Sequence, residues 1–311
     1  MATTIEKTLR VLRDSDSTIT AAAIYSLSDI GDGDLAEFKA GWLSIPTERR
    51  LQLLQRLGEI SETNFDMNFA DVTRLALADA DENIRQAGIE ALWYDESPNL
   101  MRRLMILAKG DEAENVRAEA LSALGRFILM GELGTLDAQS AREAQDVALA
   151  IYNDPDELTQ VRRRAVEALG NCTREGVAEL IQEAYDSDEL PMKASALFAM
   201  GRSCDDDWAD LVLQELTAED PELRYEAARA TGDLELEDAI PVLADLLRDD
   251  DREVMEMAVW ALGEIGGNAS RHLLENASEE AEIINDEGLM EAITEALENA
   301  SLVGESLRFD D

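Results

Sequence analysis

VRRRAVEALG, residues 161–170, carries a pattern that returns along the whole chain. With Arg162 as position zero, alanine stands at +3 and +6, leucine at +7 and glycine at +8. In this register position zero falls at Thr20, Arg50, Arg85, Arg117, Arg162, Lys193, Arg224, Met255 and Met290, with steps by subtraction of 30, 35, 32, 45, 31, 31, 31 and 35. Position +7 is apolar at Leu27, Leu57, Leu92, Leu124, Leu169, Met200, Leu262 and Leu297, with Thr231 the exception, and glycine fills +8 at Gly58, Gly125, Gly170, Gly201, Gly232 and Gly263. Self-similarity at this period marks a stacked array in which each two-helix unit hides its apolar face only against its neighbours. The period therefore predicts an all-α protein, an α-solenoid (superhelix) of about nine repeats.

Each unit reads as a first helix, A, with an apolar stripe, an acidic turn, and a second helix, B, that carries the pattern. The expected repeats run over about 1–30, 34–60, 66–94, 98–130, 138–171, 175–203, 207–233, 237–265 and 268–300, with a tail at 301–311. One elongated domain, 1–311, is expected, since the core of a solenoid grows in one dimension. The long step from Arg117 to Arg162 places an extended loop at about 126–137, with Gly131 and Gly134 in it. Prolines at 155, 191, 221 and 241 fall at unit boundaries, where the first turn of a helix tolerates them.

Sixty-eight acidic against 27 basic residues leave a formal net charge of -41. A field of that sign repels phosphate backbones and anionic lipid, so neither nucleic acid nor membrane is an expected partner. No run of 18 uncharged apolar residues occurs, and the first residues lack the apolar core of a signal peptide, so a cytoplasmic protein is expected. The two cysteines, Cys172 and Cys204, sit on equivalent turns of successive repeats with no CxxC pairing. His272 is the single histidine, which leaves no histidine cluster for a metal and gives a histidine-based triad only one residue to depend on. No catalytic residue, metal ligand or cofactor is assigned. Acidic runs such as Asp205–Asp207 and Asp249–Asp251 are read as helix caps at the turns.

Units of about 31 residues running from DxxxxxR into AxxALG resemble HEAT repeats, in particular the short HEAT-like repeats of phycobilisome lyase-type proteins. The resemblance covers essentially the whole chain. It implies a ladder between neighbouring repeats, built from a turn aspartate and an arginine six residues on: Asp79 and Arg85, Asp111 and Arg117, Asp156 and Arg162. At 100° per residue position zero lies inside the apolar arc made by -1, +3, +4 and +7, so an arginine there must find a carboxylate or a carbonyl. These arginines are read as structural. The HEAT-like iron hydroxylases use several His-Glu pairs that this chain lacks, and the HEAT-like DNA glycosylases use a basic groove that its charge opposes.

Positions +1, +2, +5 and +9 fall opposite the apolar arc, on the exposed stripe of helix B. In the central units that stripe holds Arg126, Arg163, Arg164, Arg202 and Arg229 beside Phe198, Tyr225 and Trp260. Arginine with aromatics is the composition of an interface hot spot. The plainer alternative is surface side chains pairing locally with Glu167, Glu226 and Glu264. The function expected is a non-catalytic scaffold, monomeric, that binds another protein through the concave B-helix surface. The resemblance implies an alternative: a HEAT-like chromophore lyase or lyase subunit acting on a tetrapyrrole-carrying protein.

Overall fold

The computed structural model describes residues 3–284 and 286–306. Among them every regular element is helical and none is a strand. The chain forms two compact units, Met1–Ala165 and Val166–Asp311. Unit 1 holds α1 (Thr4–Arg13), α2 (Ala21–Tyr25), α3 (Asp32–Gly41), α4 (Thr47–Thr63), α5 (Ala70–Thr73), α6 (Glu82–Glu90), α7 (Pro98–Gly110), α8 (Glu114–Glu132) and α9 (Ala138–Tyr152), and the unit boundary falls within α10 (Thr159–Leu169). Unit 2 continues with α11 (Val177–Tyr185), α12 (Leu190–Arg202), α13 (Ala209–Glu215), α14 (Pro221–Asp233), α15 (Ile240–Leu246), α16 (Arg252–Ile265), α17 (Gly267–Ile284) and α18 (Glu287–Ser306). In each unit helical hairpins stack on one another, the α-solenoid arrangement. No described helix is long and apolar enough to cross a membrane.

Local chemistry sets the helix starts. The hydroxyls of Thr3 and Ser97 and the carboxylates of Asp137, Asp220 and Asp251 each accept a backbone N–H of the turn they precede, and Pro98 and Pro221 open their helices. Two A helices begin with a 3₁₀ turn, Asp206–Trp208 before α13 and Glu237–Ala239 before α15. In the first repeat helix B is short: α2 covers five residues, the Ser26 hydroxyl donates to the Ala23 carbonyl, and the backbone turns to positive φ at Asp29. The expected loop at 126–137 is helical through Glu132. Phe127 and Ile128 are fully buried and extend the apolar stripe, and Gly131 lets α8 pass so close to α9 that a Cβ would lie 2.1 Å from that of Ala141. The last helix takes in 301–306 of the expected tail, and 307–311 lie outside the described residues.

The recurring pattern is a packing code. Side chains at +3 and +7, from Ala23 and Leu27 to Ala258 and Leu262, are buried, and Thr231 satisfies its hydroxyl on the Ala228 carbonyl at 2.7 Å. Glycine at +8 meets alanine at +6 of the next B helix. A Cβ on Gly170 would lie 2.7 Å from Cα of Ala199, on Gly201 2.9 Å from Cα of Ala230, and on Gly263 2.9 Å from Cα of Ala296. Backbones this close admit no side chain, so the glycines set the B-helix spacing in unit 2.

The position-zero arginines do form a ladder, with a different pairing from the one the resemblance implies. Arg85 donates from Nη1 to the carbonyls of Asp79 and Ala80, while Nε and Nη2 take the Asp111 carboxylate of the following repeat at 2.8 and 2.6 Å. Arg117 donates to the carbonyls of Asp111 and Glu112, and Arg224 to those of Ala218 and Glu219 while forking onto Asp249. The residue six before each arginine thus gives its carbonyl, and the next turn gives the carboxylate. Asp79 accordingly pairs with Arg50 of the preceding repeat. Asp156 is not a rung: Glu157 takes the Arg117 fork at 2.7 and 2.9 Å, its longer side chain reaching across the altered turn after the 45-residue step. Arg162 instead donates to the Tyr152 carbonyl and lies over the Tyr152 ring. Arg49 and Arg126, at other positions, cap helix ends. Arg49 is buried against the Val11 and Leu12 carbonyls, and Arg126 donates to those of Leu92, Trp93 and Asp95.

The rungs make stability depend on acid. The Arg224 fork holds the Asp249 carboxyl below its ordinary value, and Arg252 with the Leu289 amide lowers Asp286 to about 2. Burial pushes Asp111 and Glu157 up, but Arg85 and Arg117 with backbone amides outweigh it, so both sit low. Depressed carboxyls add stability that is complete above the unfolded-state value of about 4 and is lost as pH falls through the lower folded values. Urea unfolding at pH 7 and pH 3 is therefore expected to show a smaller acid loss for Asp249→Asn than for the parent protein. An equal loss would remove this rung from the account.

Candidate functional site

The B helices of unit 2 bring two columns of side chains to one face, because a 31-residue repeat returns each register position to the same place on the next helix. Column +9 runs Asn171, Arg202, Asp233, Glu264 and Asn299. Arg202 on α12 donates from Nε and Nη2 to the Asn171 amide oxygen at 3.3 and 3.2 Å, and its Nη1 stands 3.6 Å from Asp233 of α14. The Asn299 amide of α18 donates to Glu264 of α16. Column +5 runs Phe198, Arg229 and Trp260, and the Arg229 guanidinium lies 4.1 Å from the centre of the Phe198 ring, a cation–π contact. Arg229 also stands 3.9 Å from Asp233, so one carboxylate sits between two guanidiniums.

Burial sets the electrostatics of this face. It pushes the Asp233 carboxyl up even though Arg202 and Arg229 pull it down, and one Asp233 oxygen is buried without a hydrogen bond. Glu264 is raised by burial and then by the charges of Asp233 and Glu235. Burial likewise raises Tyr225, which follows Arg224 on α14. The two guanidiniums remain about one-third exposed, at 32% and 30%. Trp260 is half-buried and lies against α14 only because position 232 is glycine: a Cβ there would come 2.6 Å from the indole. A half-exposed cationic and aromatic face with pre-aligned forks can accept carboxylates, carbonyls and flat rings from a partner.

Of the predicted residues, Phe198, Arg202, Arg229 and Trp260 stand in these two columns, Tyr225 is at +1 of α14, where the charge of Arg229 acts on it, and Arg126, Arg163 and Arg164 belong to unit 1. Arg126 points its fork at the end of α6, and burial lowers its pKa. Arg163 and Arg164 are half-buried on the unit 1 part of α10, where the charge of Arg164 acts on Glu119. Of the carboxylates that could pair locally, Glu167 accepts from Ser195 at 2.6 Å and Glu264 from Asn299. Sequence reasoning missed Asn171, Asp233 and Asn299. Their signal was a +9 position that is polar in five successive repeats, legible only once the column is read down the array. His272 is exposed, 3.3 Å from Glu275. Among the described residues no three His, Cys, Asp or Glu side chains cluster as a metal site would need.

Residues 209–298 match the HEAT repeats family. The chain is similar to deoxyhypusine hydroxylase of Drosophila melanogaster, 28% identical over 117 residues, which is 37% of this chain and 39% of that protein. It therefore spans about two-fifths of the length of that relative. Among solved structures it is similar to the CpcE–CpcF complex of phycocyanin lyase from Nostoc sp. PCC7120, at 16% identity and a TM-score of 0.49 over 74% of this chain and 94% of that one. It is also similar to human deoxyhypusine hydroxylase, at 16% identity and a TM-score of 0.37 over 96% of each chain. Residues 209–298 thus carry HEAT repeats, and helix pairs continue on their N-terminal side, so the fold of the chain is an α-solenoid.

Proposed function

We propose that this chain is a non-catalytic scaffold that holds a protein partner on the B-helix face of unit 2. One observation carries the reading: columns +5 and +9 align two guanidiniums, each about one-third exposed, with Phe198 and Trp260 on successive helices, and Tyr225 lies one turn before Arg229 on α14. Arginine and aromatic side chains of this kind dominate binding energy at protein interfaces. Here the Phe198 ring and Asp233 hold the forks before any partner arrives, which lowers the ordering cost of binding. With a single histidine in the sequence, the pairs that hydroxylase chemistry would need are not available. The strong negative charge selects against nucleic acid and favours a partner that presents acidic or aromatic groups only at this local cationic patch.

The test is quantitative affinity capture with the intact chain and an Arg202→Gln/Arg229→Gln/Tyr225→Ala variant. Loss of hot-spot side chains is expected to weaken the specific partner by about tenfold or more. A variant with native helicity that keeps every specific partner at unchanged affinity would overturn the assignment.

A further inference from the structure

Unit 1 has a groove on its B-helix face that shares no residue with the columns of unit 2. It lies between α4 and α6 and encloses about 430 Å³. Small residues make its floor: Gly58 of α4 stands against Ala91, with Ala87 one turn earlier on α6. Glu59, Glu62, Glu90 and Trp93 line it.

Two features distinguish this groove from an ordinary solvated acidic surface. The first is Trp93, a large aromatic left 41% exposed. Its ring packs edge-on against Tyr94 at 5.8 Å, and the Tyr94 hydroxyl accepts the Phe69 amide N–H, so the indole is fixed where it stands. The Trp93 carbonyl accepts a hydrogen bond from Arg126, which ties down the backbone as well. The second is charge balance. Among the described residues no lysine or arginine lines the groove: Arg56, beside it on α4, is in an exposed pair with Glu59 at 3.4 Å, and Glu90 accepts from the Gln86 amide. A second hollow of about 480 Å³ shares Gln55 and Glu59 with the groove but carries Arg49 and Arg56 in its lining, so the cation-attracting stretch is the part between α4 and α6.

An aromatic face with carboxylates around it attracts a cation twice, through the ring quadrupole and through Coulomb attraction. We infer that this groove is a docking site for a basic peptide segment, with one lysine or arginine side chain laid over Trp93 and held by Glu62 and Glu90. At about 430 Å³ the groove is larger than a compact cation alone would fill, and a peptide segment suits it better.

The test uses the full chain and a short fluorescein-labelled peptide alternating lysine and glycine, in about 0.15 M salt so that distant charges are screened. Glu59→Gln/Glu62→Gln/Glu90→Gln is expected to weaken binding at least tenfold. A charge-matched control on another surface, Glu175→Gln/Glu179→Gln/Glu183→Gln, should change it less than twofold. Trp93→Ala is expected to weaken it about fivefold. Trp93→Leu, which keeps apolar bulk without a ring, should behave like alanine, while Trp93→Tyr should restore most of the affinity. Equal weakening by the two charge triples, or no loss on replacing Trp93 with leucine, would overturn the proposal. It is independent of the unit 2 interface, since the variants of each test leave the other face intact.

Discussion

Asp79→Ala is expected to destabilise unit 1 by about 3–5 kcal/mol, the cost of leaving a buried charge without its partner. The Asp79 side chain is fully inaccessible and that of Arg50 is 8% exposed. Asp79 accepts from Arg50, from the Trp42 indole N–H at 2.7 Å and from the Asp81 amide at 3.0 Å. Arg50 in turn lies over the Trp42 ring at 5.7 Å and donates to the Thr47 hydroxyl. Removing the carboxylate strands a guanidinium whose Nε already lacks a partner, and leaves the indole N–H unsatisfied. Arg50→Met/Asp79→Leu removes both charges and should recover most of the loss, because apolar replacement of a whole buried pair is often neutral. Urea unfolding with hydrogen exchange at residues 47–85 would check both. A loss below about 1 kcal/mol for Asp79→Ala would mean that water reaches the pair in solution.

The second large effect is a contrast of sign between equivalent glycines. Gly263→Ala should destabilise by about 1–3 kcal/mol, since its Cβ would meet Cα, Cβ and the carbonyl oxygen of Ala296 at 2.9, 3.0 and 3.1 Å, where only a shift of α18 makes room. Gly58→Ala places a Cβ 3.7 Å from Ala91, an ordinary contact, and should be neutral or stabilise by up to about 1 kcal/mol through helix propensity and unfolded-state entropy. Thermal melts of the two variants decide this. If both destabilise equally, the close approach at Gly263 is not what fixes α16 against α18.

These two results bear on how far the chain could be read before folding. Position zero was legible as structural because an arginine inside an apolar arc has few options, and the glycine at +8 was legible as a recurring mark. Which carboxylate each arginine would take was not. Arg85 chooses Asp111 over Asp79 because the rung crosses to the next repeat, a distance set by helix packing rather than by spacing along one helix. Glu157 in place of Asp156 follows from the turn after α9, whose shape no periodicity encodes. The site was legible in composition but not in membership: Arg126 has the same register as Arg202, yet it finds the free carbonyls at the end of α6, whereas Arg202 finds Asn171 and Asp233. Partners in contact across neighbouring repeats, but about 30 residues away in sequence, decide such outcomes.

The most direct measurement of the central claim is site-specific photo-crosslinking in living cells, with benzoylphenylalanine at position 225 on the B-helix face and, separately, at position 183 on α11. A discrete adduct containing a second protein is expected from position 225 and none from position 183. Adducts from position 183 alone, or the same adducts from both positions, would contradict it.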